Sequence, residues 1–226
     1  MESSRRARLG AGALAVAGVL FVLYPAVRPW EDESTVAGAV AAMSSGAWVA
    51  SHLFAMIGFI LIPLGLLALW RAVARTRAEP LGLAALTVTW IGAGLTLPYY
   101  GGEAFALNAI ATRAEEGQSL DLLDLVEAFR FHPVAATTFI LGLLLLGIGA
   151  IMVAGTIWRG GVLPRLSGIP FALGMALFIP QFYAPAVVRI AHGVLVGAGL
   201  VLIAVGLWRA EPGEPTDSPA PGRSVS

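Results

Sequence analysis

Six stretches of this chain are long and apolar enough to lie in lipid, and that single feature leaves few folds open. A hydrocarbon core of ~30 Å takes about 20 consecutive apolar residues in a helix. An open sheet cannot satisfy its backbone polar groups where there is no water, so the stretches are read as helices. They fall at about residues 9–27, 47–70, 81–103, 134–158, 166–183 and 186–208, and the third keeps a helical pattern to Ile110. The fifth is short and contains Pro170 and Pro180. Neighbouring helices can re-satisfy the backbone groups a proline frees, so a kinked span is expected there. The chain is therefore predicted to be an all-α, polytopic transmembrane helix bundle of about six spans over residues 1–210. The Pro-, Ser- and Gly-rich stretch 211–226 reads as a disordered cytoplasmic tail.

Composition agrees. With 58% hydrophobic and 12% charged residues the chain is too apolar for a soluble domain of this length, and the lipid bilayer is its expected partner. Net charge is zero, so nothing points to a nucleic-acid partner. Cysteine is absent, which removes disulfides, thiolate metal sites and cysteine nucleophiles. Any metal would have to use His, Asp or Glu.

Arginine placement sets the expected orientation. With both termini cytoplasmic, Arg5, Arg6, Arg8, Arg71, Arg75, Arg77, Arg159, Arg165, Arg209 and Arg223 lie inside. Only Arg28, Arg113, Arg130 and Arg189 then fall on or near the outer side. This is the pattern of a multi-pass protein of the cytoplasmic (inner) membrane. The first span, longer than a signal-peptide core, is expected to stay as an uncleaved helix. Three spans end on Leu69-Trp70-Arg71, Ile157-Trp158-Arg159 and Leu207-Trp208-Arg209. An indole at headgroup level followed by an arginine reaching into phosphate is an interfacial anchor. Between the third and fourth spans, residues 119–131 set Leu122, Leu123, Val126 and Phe129 on one helical face and Asp121, Asp124 and Glu127 on the other, which predicts a short amphipathic helix on the outer surface.

Ionisable groups inside spans are costly and point to function or to a named partner. At ~1.5 Å per residue, His52 lies about 27 Å above the inner boundary, His192 about 24 Å, Arg189 about 28 Å, Tyr99 about 27 Å and Glu103 about 33 Å. These residues thus form one polar layer near the outer edge of the bilayer. Arg189 and His192 share a helix face, as do Tyr99 and Glu103. Glu103 is the only acid at the height of Arg189, so an ion pair between them is expected. Gly101 and Gly102 would let another backbone approach closely beside it. Gly193 and Gly197 form a GxxxG, read as a packing seam within the bundle.

Three readings of the layer stand open. It is a pocket for a small ligand or ion, lined by His52, Tyr99, Glu103, Arg189 and His192. It holds a cofactor, either a divalent metal on His52, Glu103 and His192 or haem b with His52 and His192 as axial ligands. Or it is a structural network in a membrane subunit with no ligand. His132 before Pro133 reads as a surface histidine, and Asn108 as a cap. No HExxH, GxSxG, phosphate loop or dinucleotide fingerprint occurs, so no motif singles out an enzymatic activity, although His and acid residues from several helices can assemble around a metal in intramembrane hydrolases. The GLLALWR and GLWRA helix ends, the LPRLSG entry to the fifth span and the Pro-rich tail resemble six-helix polytopic membrane proteins of actinomycete-type bacteria. That resemblance implies a multi-pass helical protein and no particular activity.

Overall fold

A computed structural model describes residues 2–210, with side chains from Arg5 onward; the tail 211–226 read above as disordered lies outside the described residues. Among the described residues the chain is helical, with no strand. Five helices are long and apolar enough to cross a membrane, as befits a membrane protein. They comprise α1 (Glu2–Val27), α3 (Gly46–Ala72), the continuous run from α4 (Glu79–Gly101) through a π-helical turn (Gly102–Leu107) into α5 (Asn108–Glu115), α7 (Pro133–Gly160) and α9 (Ala186–Arg209).

The fifth expected span is not a single helix. Residues 166–183 fold into α8 (Ile169–Ala176), a turn, and a short 3-10 turn (Pro180–Tyr183). Pro180 has no N–H to continue a helix, and eight residues rise only about 12 Å. The segment still runs alongside α9, with Phe171 against Gly199, Gly174 against Val196, Phe178 against His192 and Gln181 against Arg189.

These elements close into a ring in which α1 packs on α3, α3 on α4, α4 on α7, α7 on α8, α8 on α9, and α9 back on α1. Lipid tails are as apolar as leucine, so burial alone does not drive one helix onto another, and close packing of small residues does. A Cβ on Gly92 of α4 would stand 2.8 Å from the Gly142 carbonyl oxygen of α7, and one on Gly142 2.9 Å from that of Gly92. The same mutual approach joins Gly18 of α1 to Gly197 of α9, while Gly193 meets the Phe21 carbonyl. The GxxxG is thus a seam between α9 and α1. Through the middle of the ring, buried Phe21, Phe59 and Phe178 pack ring on ring, with Phe21 and Phe59 edge to face at 5.0 Å.

The two ends of the ring differ. At the end bearing residues 73–78 and 161–168, Arg71 stacks on Trp70, Arg165 on Trp158 and Arg8 on Trp208, at 5.0 to 5.9 Å. At the other, the cap end, α2 (Val36–Met43), α5 and α6 (Leu122–Arg130) build a small second core of Met43, Ala111, Leu122 and Val126 around Trp48 of α3 and Leu107 of the π turn. Helix α2 escapes the sequence reading because it is short and uniformly apolar. Thr35 starts it, accepting from the Gly38 amide at 3.1 Å. Asp121 starts α6 in the same way, and Leu122 and Val126 turn inward as the amphipathic pattern requires.

Candidate functional site

The site begins where α4 widens. In the π-helical turn Gly102–Leu107 the backbone carries an extra residue per turn, a deviation common at functional sites. Glu103 sits in that turn, 7% exposed, and its carbonyl oxygen accepts the indole N–H of Trp48 at 2.6 Å. Asn108, just beyond, does more than cap: its amide donates to the Met43 carbonyl at 2.7 Å and ties α5 to α2. Gly101 faces open space, while Gly102 receives the Phe129 ring of α6, so the close approach beside Glu103 is made by a side chain instead of a backbone.

That contact aims the next residue. Arg130 donates from Nε to Glu103 Oε1 at 2.8 Å and from Nη2 to Oε2 at 2.9 Å, a two-point guanidinium–carboxylate pair. Its Nη2 also donates to Glu33 Oε2 at 2.9 Å, and Arg28 donates to Glu33 Oε1 at 2.6 Å. Arg28, Glu33, Arg130 and Glu103 thus alternate in sign along one chain that uses all four carboxylate oxygens. Burial alone would push Glu33 up, but the charges of Arg28 and Arg130 outweigh it and hold its carboxyl below the ordinary value. Burial alone would likewise lower Arg130, yet its bonds to Glu103 and Glu33 raise it further above the ordinary guanidinium value. Both stay charged at neutral pH.

The expected ion pair between Glu103 and Arg189 does not form. Helices α4 and α9 stand opposite one another in the ring, so equal height does not bring their side chains together. Arg189 donates from Nε to Gln181 Oε1 at 3.1 Å and lies over the rings of Trp30 and Phe182, at 4.8 and 5.5 Å. Trp30 carries Arg28 as well, at 4.9 Å.

Between these groups an axial cavity of about 490 Å³ opens at the cap end. Every member of the ring but α8 itself contributes to its wall: Tyr24 from α1, His52 from α3, Tyr99 and Tyr100 from α4, Phe139 from α7 and Arg189 from α9. Phe182 and Tyr183 line it from the 3-10 turn that follows α8, Glu103 from the π turn, and Arg28, Glu33, Arg130 and Phe131 from the cap. Phe131 and Tyr183 are 73% and 90% exposed, which sets them at its rim. Tyr99 stacks on Phe139 at 4.1 Å and donates to the Arg130 carbonyl at 3.3 Å.

Of the five residues singled out in the sequence, His52, Tyr99, Glu103 and Arg189 line this cavity and His192 does not. His192 borders a separate space of about 10 Å³ and is bonded through Nε2 to the Gly174 carbonyl at 2.7 Å. The rings of Tyr100, Phe59 and Phe178 bridge from His52 to His192 at successive centroid spacings of 5.8, 5.5, 5.7 and 5.3 Å, leaving no slot for a porphyrin. The haem ligation does not fit these residues. Nor does the metal set: Glu103 is taken by Arg130, and His192 is bonded to Gly174 outside the cavity, which leaves His52 alone. Among the described residues no group of three or more His, Asp or Glu is placed to hold a metal ion. His132 caps α7 at the exposed surface, as a surface histidine should.

Sequence reasoning missed Arg28, Glu33 and Arg130 because it placed all three outside the spans, Arg130 on the amphipathic surface helix, and looked for partners only among residues within spans. The available signal was Arg130 itself, directly after the apolar face of an amphipathic helix that had to pack on something. No known protein family, curated protein or solved structure matches the chain.

Proposed function

We propose that this protein crosses the cytoplasmic membrane six times, with both termini in the cytoplasm, and binds a small ligand in the axial cavity from the extracytoplasmic side. The sixth crossing is the broken segment 166–183, which returns the chain along α9 from the end where α7 finishes to the end where α9 starts. The orientation rests on arginine count, since most basic residues gather at the end opposite the cap.

One observation carries the binding reading. Five charged side chains, Arg28, Glu33, Glu103, Arg130 and Arg189, line an open cavity of about 490 Å³. A purely structural network would be expected to close on itself. Cavities of about 300–1,000 Å³ with aromatic walls and a few convergent polar groups are the usual form of a small-molecule site. Binding, with or without transport, follows from such a cavity.

The test is a thermal-shift screen of the purified full-length chain against a broad panel of small molecules. Hits that occupy the cavity should lose about tenfold in affinity in His52→Ala or Phe182→Ala, as expected for deleting one wall contact worth about 1.4 kcal/mol. Hits indifferent to both variants would show that the cavity is not the site. A second reading, a structural subunit, draws on Arg130, which clamps α6, the π turn and residue 33 together. It is favoured if every cavity variant lowers stability and no ligand is found.

A further inference from the structure

The charges around the cavity do not balance. Three arginines, Arg28, Arg130 and Arg189, face two glutamates, Glu33 and Glu103. All four carboxylate oxygens are engaged by Arg28 and Arg130. Among the described residues no carboxylate is left for Arg189, whose hydrogen bond goes to the neutral oxygen of Gln181. A cation held in a span without a counter-charge is costly, and interaction with the Trp30 and Phe182 rings compensates only in part.

A second, independent observation points the same way. Gln181 is 7% exposed, and its Nε2 is a buried donor without a partner; Nε of Arg28 is another. Because Arg189 fixes the Gln181 oxygen, the amide N–H groups must look elsewhere. Arg28, Gln181 and Arg189 together wall the small space of about 10 Å³, and this shares Tyr24, Arg28 and Arg189 with the large cavity. Unpaired donors and an unpaired cation in one corner all ask for an acceptor. A space that small accepts one oxygen atom of a ligand or a single water.

We infer that the ligand is a small organic monoanion, a carboxylate on an apolar body, with its anionic head at Arg189 and its body against Tyr99, Tyr100, Phe139 and Phe182. The inference rests on the cavity being a binding site and adds the class of ligand. One negative charge cancels the excess of one positive charge, and anionic oxygens satisfy the Gln181 and Arg28 donors that a cation or hydrocarbon would leave bare. The volume admits a single chain or ring system and excludes a whole two-chain phospholipid. Such an anion could come from the bilayer as a fatty acid or from the aqueous side as an aryl carboxylate, and the chemistry at Arg189 is the same.

The full-length protein in a neutral detergent is titrated with myristate and phenylacetate, with their amides, and with phenethylamine as the cationic counterpart. One of the two anions should bind at least about tenfold more tightly than its own amide, because a hydrogen bond to a charged group is worth about 1.5–3 kcal/mol. Preference for myristate assigns a lipid source, and preference for phenylacetate a soluble one. Arg189→Gln should abolish that preference and Arg189→Lys retain part of it, each variant first checked for an unchanged melting profile. If the melting profile of Arg189→Gln is altered, Gln181→Leu takes its place and should weaken the anion while sparing the amide. An amide or amine that binds as tightly as the anion, and is weakened by Phe182→Ala, overturns the anionic class and leaves the cavity as a site. Failure of all five probes to bind overturns the anionic class as well, and the broad screen then judges the cavity separately.

Discussion

Arg130→Ala should destabilise the protein by about 2–3 kcal/mol, read from denaturant or thermal unfolding in detergent. Removing one member of a buried ion pair leaves the other uncompensated, with a usual cost of about 3–5 kcal/mol. The Arg130 side chain is 24% exposed, so water through the cavity offsets part of it. Residue 103 would keep its backbone bond to Trp48 while its carboxylate loses the Arg130 guanidinium, and Glu33 would keep its bond to Arg28. The double variant Arg130→Ala/Glu103→Ala should cost less than the sum of the single ones, because the two side chains touch. Arg189→Ala/Glu103→Ala should be additive to within about 0.5 kcal/mol. Coupling of Glu103 to Arg189 instead of Arg130 would contradict the arrangement of the whole site.

Gly199→Val should be as damaging, at about 3 kcal/mol, for a reason of packing alone. A Cβ at position 199 of α9 would overlap the amide nitrogen of Phe171 and stand 2.6 Å from its Cα. Backbone cannot yield as the tip of a side chain does, so α8 must move off α9, and overpacking of this kind costs about 1–3 kcal/mol or more. The displacement also disturbs the cavity, since the segment after α8 supplies Phe182 and Tyr183. Gly94→Ala is the matched control. Nothing lies within 4 Å of its Cβ position, so the change should be neutral or slightly stabilising through helix propensity. Equal effects at the two glycines would mean that α8 is not pressed against α9.

What the sequence made legible follows from what lipid demands. Apolar length and the Trp-Arg ends mark helices to within a few residues: the expected 47–70 appears as Gly46–Ala72 and 134–158 as Pro133–Gly160. The same length rule fails over 166–183, because a run of apolar residues says nothing of whether prolines will interrupt its hydrogen bonding. At the site, counting residues along helices gives height but not direction around the ring. His52, Tyr99, Glu103 and Arg189 therefore arrive at one cavity, yet the partner chosen for Glu103 was on the wrong side of it. His192 shares the height and faces α8 instead. Arg28, Glu33 and Arg130 escaped notice because hydropathy places charged segments between spans in water, whereas this cap folds back over the bundle and holds its charges at the mouth.

The central proposal, that six crossings leave a charged cavity open to the extracytoplasmic side, is tested most directly by thiol accessibility. The chain has no cysteine, so single substitutions can be made in its own background. Phe182→Cys and Phe139→Cys, in the cavity wall, should react with a membrane-impermeant thiol reagent added outside intact cells. Leu144→Cys, which faces outward from mid-bundle, should not react. Cavity positions that stay unmodified in folded protein, or react only when the reagent reaches the cytoplasm, would contradict the account.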